Sequence, residues 1–153
     1  MSSPGSSASR EQVRNSALAS LTRREHGTAE LQSKLTAKFG DADLAADAIE
    51  WLLELGYLDD IRFTEMFVRS SIAKGRGPLR ISQELRQKGV DSSLIEQALA
   101  EADADWRELA RERLERKFPR PATDLKEKAK RMRYLQYRGF FPDDIFALVN
   151  AER

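Results

Sequence analysis

The sequence predicts an all-α chain made of three tandem three-helix modules, helix-turn-helix-like in their spacing. Three observations support this. Apolar residues recur at helical spacing, and no segment shows the alternation of a strand. Residues that start and stop helices punctuate those stripes. The pattern also repeats. With Leu35, Leu85 and Leu135 in register, Lys38, Lys88 and Arg138 align three residues on, followed by Ala45, Ile95 and Ile145, then Ile49, Leu99 and Val149.

Residues 1–14 open with MSSPGSSASR, which has no apolar stretch of a signal peptide and reads as a mobile tail. The first module, expected over 15–58, has a stripe of Val13, Ala17, Leu18 and Leu21, a second of Leu31, Leu35 and Phe39, and a third of Leu44, Ala45, Ala48, Ile49 and Leu52. The second, over 59–104, gives Phe63, Phe67, Val68 and Ile72, then Leu79, Ile81 and Leu85, then Leu94, Ile95, Ala98 and Leu99. The third, over 105–153, gives Trp106, Leu109, Ala110 and Leu114, then Leu125, Ala129, Met132 and Leu135, then Ile145, Leu148 and Val149.

The breakers agree with this division. Pro78 suits a first helical turn, where its missing N–H costs nothing. Gly89 and Gly139 stand where a left-handed residue would end a helix. Asp41 and Asp91 are N-cap residues in type and place, and Pro142-Asp143-Asp144 puts two acids in a first turn, where the helix dipole favours them. In GYLDDIRF (56–63), Gly56 ends one module, Asp59 or Asp60 caps the next helix, and Tyr57 and Leu58 fill the corner. Capping already accounts for adjacent acids at a helix start, so they are not read as a catalytic pair.

At 153 residues, 41% hydrophobic and 33% charged, the chain fits a polar helical protein rather than a disordered one, and no apolar run is long enough to span a bilayer. The absence of cysteine excludes disulfides and thiolate zinc sites and fits a cytoplasmic location. Net charge is only +1, but charge is segregated: 41–60 holds seven acids and no base, whereas 62–88 and 126–138 are basic. That pattern suits either solvated helix faces or a surface meeting nucleic acid or charged protein.

Little in the chain suggests catalysis. His26 is the only histidine, expected at a helix end as a cap or surface contact. No P-loop, dinucleotide-binding or nucleophile-elbow motif is present, so the chain reads as a non-enzyme without a cofactor or metal. Gly75-Arg76-Gly77 could present N–H groups and Arg76 to a phosphate, or be a tight helix–helix turn. Most aromatics fall on apolar stripes. Tyr134 and Tyr137, interleaved with arginines, are the best candidates for base stacking.

Four segments in order, RREHGTAELQSKL (23–35), GYLDDIRFTEMFVRS (56–70), GRGPLRISQELRQKGV (75–90) and RMRYLQYRGF (131–140) with Ile145, closely resemble the RecX family of recombination regulators, over about residues 15–150. One departure is Gly27, where the family more often has Ser at a helix start. The resemblance implies tandem three-helix repeats in a curved, elongated molecule. It further implies binding to RecA recombinase filaments on single-stranded DNA, in the helical groove. The expected effect is inhibition of ATPase, strand exchange and co-protease activity by blocked extension or promoted disassembly. A monomer is expected, with no membrane contact and weak direct DNA binding at most. The alternative is a DNA-binding protein that competes with RecA for DNA. Charge and repeat register, rather than the resemblance, nominate the contact residues: Arg24, Lys74, Arg76, Arg80, Arg86, Lys88, Arg131, Arg133 and Arg138.

Overall fold

The computed structural model describes residues 7–151. Among them are nine α-helices and no strand: α1 (Arg10–Arg23), α2 (Thr28–Phe39), α3 (Ala42–Glu54), α4 (Asp60–Ala73), α5 (Pro78–Gln87), α6 (Ser92–Ala102), α7 (Trp106–Lys117), α8 (Leu125–Arg138) and α9 (Pro142–Ala151). The three-by-three order is the one the repeat predicts.

Helix starts follow the capping chemistry. Asp41, Asp105 and Asp124 each accept a backbone N–H three residues on, at 3.0, 3.1 and 2.8 Å. The first helix begins earlier than composition suggests. Ser9 Oγ accepts the Gln12 N–H at 3.1 Å while the Gln12 side chain accepts the Ser9 N–H at 2.9 Å, a reciprocal capping box. Residues 10–14 therefore belong to α1 rather than to a tail, because a serine that looks like linker is equally a helix start. The remainder of that tail, residues 1–6, lies outside the described residues. At the other ends, the middle helices α2, α5 and α8 give way to Gly40, Gly89 and Gly139 at φ 67°, 81° and 93°. That region strains any residue with a Cβ. Gly40 comes one residue later than the repeat register places it.

The helices form two compact units that cut across the three repeats. The first comprises residues up to Thr64 together with Gln87–Asp91. Its core is Val13 and Ala17 of α1, Leu31 and Leu35 of α2, Ala45, Ala48, Ile49 and Leu52 of α3, and Leu58. The second comprises Glu65–Arg86 and the residues from Ser92 onward. Within it, Ala110 and Leu114 of α7, Leu135 of α8, Phe140, and Ile145 and Val149 of α9 form one core cluster.

Four apolar residues depart from the expected placement. Leu79 and Leu125, both assigned to core stripes, are 47% and 83% exposed. Each falls within the first two residues of its helix, and the buried faces run instead through Pro78, Ile81 and Leu85 on α5 and through Arg131 and Leu135 on α8. Tyr57 does not fill its corner with Leu58; only Leu58 is buried. Phe146, on the outer side of α9, is also exposed.

Candidate functional site

The nominated cations share a repeat register, and the structure gives that register a physical meaning. In the first unit, α2 starts at Gly27, which offers no side-chain cap. Asp60 supplies one, its Oδ1 accepting the Thr28 N–H at 2.7 Å. Its neighbour Asp59 caps α4, with Oδ1 accepting the N–H groups of Ile61 and Arg62 at 2.9 and 3.2 Å. Both acids of the GYLDDIRF corner are therefore caps, on different helices. Arg62 ties the same corner to Glu25 at 3.1 Å and to the carbonyls of Gly56 and Tyr57 at 3.4 and 3.0 Å.

Just beyond the end of α5, Gly89 sits so close to α2 that a Cβ there would lie 2.5 Å from the Ala29 Cβ. Beside it, Lys88 Nζ reaches Glu30 at 2.6 Å, and Arg24 reaches the same carboxylate at 3.2 Å. Burial alone would raise the Glu30 pKa. The hydrogen bonds from Lys88 and Arg24 outweigh it and hold the carboxyl down at about 2.

Fifty residues on, the second unit repeats the joint. Gly139, which follows α8, packs onto the backbone and Cβ of Arg80 in α5. The Gly77 N–H donates to the Arg138 carbonyl at 2.7 Å and the Leu79 N–H to the Gly139 carbonyl at 2.9 Å. A Cβ on Gly77 would sit 2.5 Å from the Gly139 carbonyl group. The Arg138 side chain donates to the carbonyls of Lys74 and Gly75 at 3.0 and 3.3 Å and to the Tyr134 hydroxyl at 3.1 Å. Gly75-Arg76-Gly77 is therefore a helix–helix turn. The Gly77 and Leu79 N–H groups are engaged by carbonyls, which leaves them no capacity for a phosphate.

The nine residues divide accordingly. Arg24 and Lys88 hold Glu30, and Arg138 closes the second joint. Arg131 is buried, 4.9 Å from the Phe118 ring and 3.8 Å from Glu127, at a core-facing position on α8. Arg80 and Arg76 are half-buried and share Glu84, at 3.1 and 3.9 Å. Lys74, Arg86 and Arg133 are exposed, and among the described residues their side chains hold no hydrogen bond or ion pair. Tyr134 packs edge-on against Phe118 at 5.5 Å between centroids, whereas Tyr137 is 78% exposed with the Arg80 guanidinium 5.3 Å from its ring centre. Sequence reasoning missed Glu30 and Asp60 as the acceptors of the first joint. The available signal was a glutamate at 30 where the next repeat has Arg80, opposite the cation series 38, 88 and 138.

His26 is buried in the first unit rather than on the surface. Its Nδ1 lies 2.9 Å from the Arg24 carbonyl, and its buried Nε2 has no hydrogen-bond partner. Burial holds its pKa below the ordinary histidine value, against the opposing pull of that carbonyl. Among the described residues no group of three or more His, Cys, Asp or Glu side chains could hold a metal ion, and no helix is long and apolar enough to cross a membrane.

Residues 59–99 match the family model described as RecX, second three-helix domain, and residues 103–149 match RecX, third three-helix domain. The chain is 48% identical over 141 residues to the regulatory protein RecX of Vibrio parahaemolyticus, covering 91% of this chain and 90% of that protein. It is 43% identical over 146 residues to the regulatory protein RecX of Halorhodospira halophila, covering 94% and 90%. The fold resembles the crystal structure of RecX from Lactobacillus salivarius, with a TM-score of 0.75, 24% identity, and coverage of 93% of this chain and 95% of that one.

Proposed function

The chain belongs to the RecX family, and from that membership we propose that it binds the RecA recombinase on single-stranded DNA and restrains it. The observation that carries this reading is the 48% identity, across nine-tenths of both chains, to a protein named as a regulator. On this reading the protein is a cytoplasmic monomer that acts by occupancy, without catalysis. Its binding energy favours a filament state poor in hydrolysis and extension, by no more than its differential affinity for that state. Within the nominated set, the exposed Lys74, Arg86 and Arg133 are the contacts, because Arg24, Lys88 and Arg138 are already paired within the fold and Arg131 is buried.

ATP hydrolysis by RecA preassembled on single-stranded DNA, titrated with this protein, tests the proposal when binding to the same bare DNA is followed at matched salt. Inhibition well below the concentrations that occupy bare DNA supports action on the filament. Inhibition only where bare DNA is saturated would replace it with competition for DNA.

A further inference from the structure

The corner that follows α3 leaves four large apolar side chains in solvent. Leu53, Leu55, Tyr57 and Ile61 are 46%, 50%, 56% and 55% exposed, and all four belong to the first unit. Gly56 turns the chain between them at φ 78°, and nothing lies within 4 Å of the position that a Cβ there would take. Single exposed leucines are ordinary. Four such residues around one turn amount to on the order of 400 Å² of apolar surface, a size at which exposed patches mark interaction sites.

The corner is held in one shape. Arg62 donates to the carbonyls of Gly56 and Tyr57 and pairs with Glu25, while the Tyr57 and Leu58 N–H groups both return to the Leu52 carbonyl, at 3.0 and 3.3 Å. A partner therefore need not order this surface in order to bind it. Its charge is one-sided. Glu50, Leu53 and Glu54 stand at i, i+3 and i+4 on one face of α3, and the whole segment 41–60 carries no base. Both glutamates are exposed, and among the described residues no cation reaches either. The neighbouring Arg62 is committed to Glu25 and to the carbonyls of the corner itself.

We propose that this corner docks a basic amphipathic segment of a partner protein, whose apolar side chains cover Leu53, Leu55, Tyr57 and Ile61 and whose lysines or arginines meet Glu50 and Glu54. Charge and size decide against the other occupants. Nucleic acid and anionic lipid headgroups are both repelled by unpaired carboxylates. A second copy of this chain is disfavoured because a stable dimer covers about 800 Å² on each partner, roughly twice what the corner offers. An apolar centre containing an aromatic ring, with a charged rim, is the usual anatomy of a protein contact. The surface is separate from Lys74, Arg86 and Arg133, and its test requires no RecA.

The test is fluorescence anisotropy of a labelled helical peptide, with leucine on one face and lysine on the other, titrated with the full chain. One comparison peptide carries glutamate in place of every lysine, and another has the same composition in an order that forms no apolar face. Both should bind at least about tenfold more weakly. L55S/I61S should weaken binding of the lysine peptide at least about tenfold. E50Q/E54Q should weaken it about threefold at low salt, with the difference gone at high salt. An unchanged Trp51 unfolding midpoint shows that each variant keeps its fold, and Y57S gives a second, single-site loss of apolar contact in the same direction. No binding by the parent, parent affinity in both L55S/I61S and Y57S, or equal binding of the glutamate peptide would each overturn the proposal. So would sedimentation equilibrium that finds a dimer of the parent lost in L55S/I61S, because the occupant would then be a second copy. None of these outcomes bears on RecA inhibition, which the hydrolysis titration decides separately.

Discussion

Gly27 and Gly77 occupy the same position in successive repeats, and the structure predicts that the same substitution affects them very differently. An alanine Cβ at Gly77 would lie 2.5 Å from the Gly139 carbonyl group, a backbone neighbour that cannot rotate away. Relief requires α5 and the end of α8 to part, at the expense of the Gly77–Arg138 and Leu79–Gly139 hydrogen bonds. Those bonds are worth about 0.5–1.5 kcal/mol each, and overpacking adds about 1–3 kcal/mol. Against this, alanine restricts the unfolded chain and returns about 0.4–1 kcal/mol. G77A is therefore expected to cost about 3 kcal/mol. At Gly27 the new Cβ would meet the edge of the Phe63 ring at 3.2 Å and the Asp60 Oδ1 at 3.8 Å, an ordinary contact distance, so the Asp60–Thr28 bond need not move. G27A should change stability by less than about 1 kcal/mol in either direction. Urea unfolding followed by tryptophan fluorescence separates the two, because Trp51 lies in the first unit and Trp106 in the second. Each can be read alone after W106F or W51F. Equal midpoints for the two alanine variants, or a larger loss in G27A, would refute the close-approach reasoning.

Three further outcomes follow from the same contacts. D60A leaves the α2 N-terminus without its cap and should lower the stability of the first unit by about 1–2 kcal/mol, read from the Trp51 unfolding midpoint. Glu30 has its folded pKa depressed from 4.5 to about 2, so its stabilisation is complete above about pH 4.5 and is lost as pH falls toward 2. The shift sets a ceiling of about 3 kcal/mol, which residual solvent exposure reduces to about 1–2 kcal/mol. E30Q should accordingly show a flatter fall in urea midpoint across that window than the parent. On α8, R131A removes a buried guanidinium stacked near Phe118 and should cost about 2 kcal/mol or more, whereas R133A should lie within about 0.5 kcal/mol of the parent. Thermal unfolding of the pair checks this directly.

The fold was legible because its determinants are local. Helical spacing, the Asp41 cap, Pro78 and the glycines after α5 and α8 are all written in adjacent residues, and each appears where the spacing puts it. Exposure of Leu79 and Leu125 was not legible, because a residue in a first turn belongs to an apolar stripe by spacing alone until the neighbouring helix is placed. The contact surface was harder still. Register singled out Arg24, Lys88 and Arg138 as matching cations, but positions match between repeats when repeats bind each other, so register alone finds joints as readily as partner contacts. Exposure separates them: Lys88 ends on Glu30 and Arg138 on two carbonyls, while Arg133, one turn from Tyr137, faces solvent. Arg131 and Arg133 are two residues apart in one basic run, and only the helix's orientation shows that one is a core residue.

The carboxylate of Asp60 has a consequence for anyone who divides this protein into pieces. A fragment ending at the repeat boundary after Leu58 would keep all three helices of the first repeat yet lose Asp60, the Phe63 ring against Gly27, and the Lys88 partner of Glu30. Its second helix would begin frayed, and its buried edge would face water. A cut placed by sequence similarity thus falls inside the compact unit formed by residues up to Thr64 and Gln87–Asp91. Proteolytic or genetic dissection should be expected to yield a stable first piece only when the chain is carried through residue 91.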